Sequence, residues 1–155
     1  MLCLLFYSYS LLYSKENIFG VSLNYPGIGI KYFYHTKNIF ELRLQYFHTD
    51  DYTTTLFGLR YYRIFPIAKN NNLFYYLGAE GSFFTHNENY LSSNESQSAN
   101  GWLVGSYLGI EKFLSKKFSL NFDIGPYIAT ATINNYSSSL FDFVLNVSIN
   151  YYLRK

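Results

Sequence analysis

The stretch "SLFDFVLNVSINYYLRK", residues 139–155, alternates between two kinds of side chain. Every second residue from Phe141 onward belongs to an almost unbroken apolar set, namely Phe141, Phe143, Leu145, Val147, Ile149, Tyr151 and Leu153. The residues between them include a carboxylate, a hydroxyl and two amides, on Asp142, Ser148, Asn146 and Asn150. A period of two is typical of a β-strand, because successive side chains point to opposite faces of a sheet. The fold therefore depends on which of the two faces meets water.

The composition indicates that part of the protein surface lies in an apolar environment. Of the 155 residues only 14% are charged, compared with roughly 25% in an average soluble domain, while 22% are aromatic. No segment offers the ~18 uncharged apolar residues of a membrane-spanning helix, so any contact with a bilayer must be made by strands. The net charge of +2 and the lack of a basic stripe argue against nucleic-acid binding. The single cysteine, Cys3, excludes an intramolecular disulfide and a CxxC site.

The first residues differ from the rest of the chain. Residues 2–14 carry no charge and are rich in leucine and aromatic residues, as in the apolar region of a secretory signal. No basic segment precedes them. We therefore predict that residues 1–14 are a truncated signal peptide and that residues 15–155 form the folded domain. A ninth strand or a buried apolar arm is the alternative for this segment.

From Phe19 onward the alternation recurs in eight segments. Turn-prone residues separate most of them, as in "PG" at residues 26–27, "TDD" at 49–51 and "SKK" at 115–117. Two connections are longer, residues 87–100 and the segment "INNYSSS" from Ile133. Eight alternating strands with no helical segment, linker or second domain predict an all-β fold, a closed eight-stranded antiparallel up-and-down β-barrel.

The polar face of these strands decides between two kinds of barrel. In a soluble lipocalin-like carrier the apolar face points inward, whereas in a transmembrane barrel it faces lipid. The polar face here is rich in glycine and carries charges of both signs, at Lys31, Glu41, Arg43, Arg60, Glu80, Glu111, Asp123 and Asp142. Small residues and opposed charges suit a lumen only wide enough for side chains. We therefore predict a transmembrane barrel whose lumen these charges close by pairing; a narrow ion-selective pore and a soluble carrier are the alternatives.

The connections between the strands separate by charge. Connections two, four and six, with the chain ends, carry cations, at Lys15, Lys37, Arg63, Lys69, Lys112, Lys116, Lys117, Arg154 and Lys155. The other connections carry Asp50, Asp51, Glu88 and Glu95. Short turns lie on the periplasmic side of outer-membrane barrels, and longer loops face outward. Residues 87–100 are accordingly predicted to face the outside and to be the contact point for a surface ligand.

The C-terminal segment "NVSINYYL", residues 146–153, resembles the C-terminal recognition signal of bacterial outer-membrane barrels. Asn146, Ser148, Tyr151 and Leu153 match its polar, small and alternating apolar positions, although Ser148 stands where glycine is usual and Arg154-Lys155 follow. Residues 19–48 also look like the beginning of small porin-like or outer membrane protein A-like barrels. The resemblance implies a bacterial outer-membrane location, contact with lipid and insertion by the barrel-assembly machinery. We expect a monomer.

Histidines offer the only candidates for catalysis. His48 is close to Asp50 and Asp51 in the sequence, and the region after His86 contains serines, at Ser92, Ser93 and Ser96. A histidine with a carboxylate and a hydroxyl at a barrel mouth could serve a surface protease or a lipid A hydrolase. No spacing signature supports such a triad, and three histidines without ligand spacing give no metal site. The sequence therefore predicts no enzyme, no metal site and no cofactor.

Overall fold

A computed structural model describes residues 17–34, 37–67, 70–88, 97–133 and 136–154. The strands are β1 (Asn17–Asn24), β2 (Gly27–Tyr34), β3 (Asn38–His48), β4 (Tyr52–Ile67), β5 (Asn70–Glu88), β6 (Gln97–Phe113), β7 (Phe118–Ile133) and β8 (Tyr136–Arg154). No helix in the described ranges is long and apolar enough to cross a membrane. The predicted signal peptide, residues 1–14, lies outside the described residues.

The eight strands form a closed ring in sequence order. Each strand pairs with the next in antiparallel register, and β1 pairs with β8 from Asn17↔Arg154 to Asn24↔Ser148. Closure gives every strand two neighbours and removes the exposed sheet edge that would otherwise invite aggregation. The predicted closed eight-stranded antiparallel barrel is therefore confirmed.

The barrel has two rims, which we name by their connections. The terminal rim holds the β2–β3, β4–β5 and β6–β7 connections, together with the described ends at Asn17 and Arg154. The loop rim holds the β1–β2, β3–β4, β5–β6 and β7–β8 connections. This is the division that the sequence analysis predicted from connection numbering.

Two strand pairs extend further toward the loop rim than the sequence suggested. Residues from Ile133 were predicted to form a long connection, but Ile133 pairs with Tyr136 and β8 begins there. Hydroxyl pairs line this extension, with 2.9 Å between the Oγ atoms of Thr130 and Ser139 and the same distance between Thr132 and Ser137. β5 and β6 likewise reach Glu88 and Gln97. Cross-strand hydroxyl pairs stabilise a polar ladder without apolar alternation, and so the alternation alone missed these strand ends.

The apolar face of the strands points outward. Leu42, Leu59 and Leu145 are 49%, 48% and 58% exposed, whereas Arg60 and Glu80 are 2% and 8% exposed. A soluble carrier with an apolar interior requires the reverse arrangement. The structure therefore contradicts the lipocalin-like alternative.

The strands are offset as they pass around the ring. A path of directly paired residues leads from Gly20 on β1 through Arg60 on β4 to Asp142 on β8. Gly20 itself pairs with Tyr152 on β8. The path therefore reaches β8 ten residues away from the residue that pairs with its starting point. An offset of this kind accompanies the strand tilt of a closed barrel. Because of this offset, residues that all point inward by alternation lie at very different heights along the barrel axis.

Candidate functional site: the side-chain network of the lumen

Four charged residues alternate in sign across adjacent strands. Lys31 on β2 pairs in register with Glu41 on β3, Glu41 pairs with Arg60 on β4, and Arg60 pairs with Glu80 on β5. All four side chains are buried inside the barrel. Opposite charges directly opposite each other on neighbouring strands attract, whereas like charges would repel. The register therefore builds a ladder of alternating charge that no single strand shows.

Glu80 is the carboxylate on which two arginines converge. Arg60 Nε donates a hydrogen bond to Glu80 Oε2, and Arg43 Nη1 donates to the same oxygen over 3.0 Å. The second oxygen accepts a hydrogen bond of 2.7 Å from the hydroxyl of Ser82. Buried charges are tolerated when they are paired and hydrogen-bonded. Glu80 meets both conditions.

Asp123 links this cluster to β8 and to a tyrosine. Its Oδ2 accepts hydrogen bonds from Arg60 Nη1 at 3.3 Å and from the hydroxyl of Tyr76 at 2.9 Å. Its Oδ1 accepts one from Asn146 Nδ2 at 2.7 Å. Arg60 therefore bridges Glu80 and Asp123 while its guanidinium carbon lies 4.3 Å from the ring centre of Tyr107. A cation above a desolvated aromatic ring is attracted to its face, so Tyr107 also stabilises the buried Arg60 guanidinium.

A second cluster surrounds Glu111 nearer the terminal rim. Glu111 Oε1 accepts hydrogen bonds from Ser119 Oγ, from the hydroxyl of Tyr152 and, at 3.1 Å, from Asn150 Nδ2. These donors lie on β7 and β8, so the cluster ties the last strands to β6. All four side chains are buried. Hydrogen bonds to a carboxylate are stronger than those between neutral groups, and here they hold three strands together.

Aromatic and aliphatic side chains form a buried cluster in the lumen toward the terminal rim. The buried cluster consists of Ile39, Tyr62, Ile64, Phe74, Tyr76, Tyr107, Phe113 and Tyr152, with Phe33 packed against it. The sequence analysis predicted none of them as a core. The signal was available, since Tyr62 and Ile64 continue the alternation of Arg60 along β4. The charges and glycines defined the inner face in the sequence, and so these bulky apolar residues on the same face were not predicted as a core.

Glycines make room for these large side chains. A Cβ atom at Gly109 would lie 2.3 Å from Tyr76 Cζ, and one at Gly78 would lie 2.5 Å from a ring carbon of Tyr107. At Gly29 a Cβ would lie 2.2 Å from the Glu41 carboxylate. The crowded lumen predicted for the glycine-rich face is therefore present at these positions. Gly105 is less crowded, with its nearest side-chain atom 3.1 Å away.

Asp142 does not join the network into which the sequence placed it. Its side chain is exposed, and its Oδ1 accepts a hydrogen bond of 2.7 Å from the backbone N–H of Phe143. β1 pairs with β8 only as far as Ser148, so Asp142 lies on the extension toward the loop rim. The alternation places Asp142 on the inner face. The strand offset, however, places it on the part of β8 that extends toward the loop rim beyond the pairing with β1. The other seven predicted charges are buried.

The four residues that match the C-terminal signal divide between the two faces. Asn146 and Ser148 are buried in the lumen, where Asn146 binds Asp123. Leu153 is 53% exposed on the outer wall. Tyr151 packs against Phe118, with 5.0 Å between the ring centres.

The two described histidines, His48 and His86, each lie within hydrogen-bond distance of a threonine. His48 Nδ1 lies 2.7 Å from Thr53 Oγ1, and the described contacts do not join it to Asp50 or Asp51. His86 Nδ1 lies 2.7 Å from Thr54 Oγ1, and its Nε2 lies 3.5 Å from Glu88 Oε1. The serines predicted beside His86, Ser92, Ser93 and Ser96, lie outside the described residues.

Metal-ligating side chains are not grouped in the described ranges. No set of three or more histidine, cysteine, aspartate or glutamate side chains there is arranged to hold a metal ion. Among the buried polar atoms of the same residues, Ser22 Oγ, Arg43 Nε, Arg43 Nη2 and Asn150 Oδ1 have no hydrogen-bond partner. The described network is therefore largely but not completely satisfied.

Solved structures share this architecture. The N-terminal β-barrel domain of Pseudomonas aeruginosa OprF matches with a TM-score of 0.57 and 12% identity over 87% of this chain and 93% of that domain. Neisserial surface protein A matches with a TM-score of 0.59 and 13% identity over 87% of this chain and 92% of that protein. The chain has the fold of a small outer-membrane β-barrel. No protein-family model matches the sequence, and a search of curated proteins gives no match. At this level of identity the likeness establishes the fold alone.

Proposed function

We propose that the chain is an integral β-barrel of the bacterial outer membrane, with a structural or surface-contact role and a lumen closed by its own side chains. One observation carries the proposal: the apolar side chains form the outer wall, while the ion pairs of Arg60 with Glu80 and Asp123 lie inside. A wall of this kind is stable in hydrocarbon, where strand closure also satisfies the backbone. The short-turn terminal rim then faces the periplasm and the loop rim faces outward.

The closed lumen follows from two layers of side chains. Arg60 on β4 reaches across the lumen to Asp123 on β7, and the aromatic cluster occupies the lumen toward the terminal rim. Removing one partner of a buried pair leaves an uncompensated charge, so rearrangement into an open channel is costly. We therefore expect a barrel that has a structural or surface-contact role and does not conduct ions at a steady high level.

The decisive experiment is reconstitution. The folded chain should migrate differently on a gel before and after boiling, because a closed barrel resists detergent until it is heated. In planar bilayers it should give no large steady conductance. A protein that stays soluble and folded in buffer without detergent would contradict the membrane proposal. A large, stable conductance would contradict the closed lumen and favour the narrow-pore alternative.

Catalysis is not part of this proposal. Thr54, His86 and Glu88 do form a hydroxyl–imidazole–carboxylate series at the loop rim. Its hydroxyl belongs to a threonine within β4, paired directly opposite His86. Ester and peptide hydrolysis by the purified barrel, compared with His86→Ala and with His48→Ala as the control, tests this point. Activity lost only in the His86 variant would contradict the non-enzymatic role.

Two partners belong to the proposal as well. The alternating residues Tyr151 and Leu153 fit recognition by the barrel-assembly machinery during insertion. The β5–β6 connection, whose flanking strands project to Glu88 and Gln97, is the proposed contact point for a surface ligand. Replacing residues 89–96 by a short glycine-serine linker should leave the barrel folded and abolish any such contact. Within the membrane the chain is proposed to act as a monomer.

A further inference from the structure

Exposed charges are separated by sign between the two rims. The terminal rim presents cations, at Lys37, Arg63, Lys112, Lys116 and Lys117. The loop rim presents carboxylates, exposed at Asp50, Asp51 and Asp142 and half-buried at Glu88. In the described part of the chain, no exposed carboxylate lies on the terminal rim and no lysine or arginine lies on the loop rim. The terminal rim is therefore complementary to a negatively charged partner.

The β6–β7 turn concentrates three of these cations on a fixed backbone. Lys116 and Lys117 lie in the turn itself, and Lys112 lies on the outer face just before the end of β6. The hydroxyl of Ser115 accepts hydrogen bonds from the backbone N–H groups of Phe118 at 3.2 Å and of Lys117 at 3.3 Å. The N–H of Leu114 donates to the carbonyl of Phe118 over 2.9 Å. The backbone that carries the lysines is thus ordered before any ligand binds.

Apolar side chains lie beside these lysines on the outer wall. Leu114 and Phe118 are 61% and 46% exposed. Lys112 pairs across the sheet with Leu73 on one side and Leu120 on the other. Lysine side chains bury their carbon stems along apolar surface while the ammonium group remains at the polar boundary. The surface therefore joins three ammonium groups to a wall suited to acyl chains.

We propose that Lys112, Lys116 and Lys117, with Leu114 and Phe118, form a binding site for the phosphate headgroup of an anionic phospholipid. The inference rests on the proposed membrane location, and it places the lipid in the leaflet at the terminal rim. Basic clusters at a membrane boundary attract anionic lipids electrostatically. The exposed Leu114 and Phe118 favour a lipid over a soluble anion or an acidic protein, because they contact acyl chains while the lysines contact phosphate.

The test measures which lipids remain bound to the folded barrel. The wild-type protein in mild detergent is mixed with equal amounts of phosphatidylglycerol and phosphatidylcholine, and the retained lipids are counted by native mass spectrometry. We expect a clear preference for phosphatidylglycerol. Because each cation near an anionic surface changes binding about fivefold, the Lys112→Gln/Lys116→Gln/Lys117→Gln variant should lower the preference roughly a hundredfold. Raising the salt concentration should lower it in the wild-type protein as well.

Two matched variants separate this site from general charge. Lys112→Arg/Lys116→Arg/Lys117→Arg keeps the charge and should keep the preference. Lys37→Gln/Arg63→Gln removes cations from the same rim on the β3–β4 side and should change the preference much less. Equal retention of both lipids by the wild-type protein, or an unchanged preference in the triple glutamine variant, would overturn the site. Full competition by soluble glycerol phosphate would replace the lipid with a free anion and would also overturn it.

The same samples distinguish failure of this site from failure of the membrane proposal. Every variant is first tested for the mobility shift on boiling. A barrel that shows the shift but has no lipid preference contradicts only the headgroup site. A chain that folds without detergent contradicts the membrane location and the headgroup site together.

Discussion

Gly109 and Tyr76 lie directly opposite each other on β6 and β5, and the tyrosine ring occupies the place of a side chain at residue 109. A Cβ atom there would lie 2.3 Å from Cζ and 2.4 Å from the hydroxyl oxygen of Tyr76. That hydroxyl is bound to Asn121 and Asp123, so the ring has little freedom to move. The absence of a side chain at residue 109 therefore leaves room for the Tyr76 ring, whose hydroxyl makes hydrogen bonds inside the lumen.

Gly109→Ala should therefore destabilise the barrel by about 1–3 kcal/mol, as overpacking of a filled interior does. Gly81→Ala is the matched control, because nothing lies within 4 Å of a Cβ atom added there. Gly81 faces the outer wall, and alanine should stabilise that strand by roughly 0.5–1 kcal/mol through lower backbone entropy in the unfolded chain. Urea unfolding in detergent, followed by the fluorescence of Trp102, measures both effects. Equal effects of the two substitutions would contradict the crowded lumen.

Arg60→Ala should be much more damaging than Arg63→Ala on the same strand. Arg60 is 2% exposed and bridges two carboxylates, so its removal leaves Glu80 with one cation and Asp123 with none among the described contacts. Breaking a buried pair of this kind costs about 3–5 kcal/mol. Arg63 is exposed, and its loss should cost less than about 1 kcal/mol. Similar losses for both variants in urea unfolding would show that the lumen pairs contribute little.

Leu42→Arg tests the direction of the outer wall. Leu42 lies mid-strand on β3 and is 49% exposed, while Tyr46 is nearer the loop rim on the same strand and is 58% exposed. A charge at mid-wall depth should cost about 2–4 kcal/mol in lipid, and a charge near the boundary about 0–1 kcal/mol. Unfolding in lipid vesicles should therefore be easier for Leu42→Arg than for Tyr46→Arg. In water the two exposed sites would tolerate arginine equally, and that result would count against a membrane-facing wall.

Asp123→Asn and Asp142→Asn provide a test of the offset between strands. Asp123 accepts hydrogen bonds from Arg60, Tyr76 and Asn146, whereas Asp142 accepts one from the adjacent backbone. The nearly isosteric Asp123→Asn removes the charge that faces Arg60 and should cost several times more stability than Asp142→Asn. Thermal unfolding, followed by the gel mobility shift, measures the difference. An equally large effect at Asp142 would mean that it takes part in the network after all.

Tyr151→Ser tests the assembly signal separately from stability. Tyr75→Ser is the control, because Tyr75 is another outward aromatic residue near the terminal rim. Both variants should fold similarly from urea into detergent. In bacterial cells, Tyr151→Ser should lower the amount of inserted barrel several-fold more than Tyr75→Ser. Equal insertion of the two variants would argue against recognition of the C-terminal segment.

Sequence alternation was sufficient for the fold because the β-strand has a period of two at every position. The segment from Phe141 to Leu153 places one apolar face on the wall, and the same rule applied to β3 and β4 gives the inner positions of Glu41, Arg43 and Arg60. The same rule did not predict the β7–β8 extension. Its hydroxyl pairs, such as Thr130 with Ser139, stabilise strands that show no apolar period.

The sequence by itself determined the strand number, the outward apolar face and the sign separation between the rims, since these depend on residue order along single strands. Only the tertiary structure decided which charges meet. The ten-residue offset brings Arg60 to Glu80 and Asp123 and leaves Asp142 in the exposed extension, although all four share the inner alternation. Alternation fixes the face of a residue, but its height along the axis depends on the register of all eight strands at once.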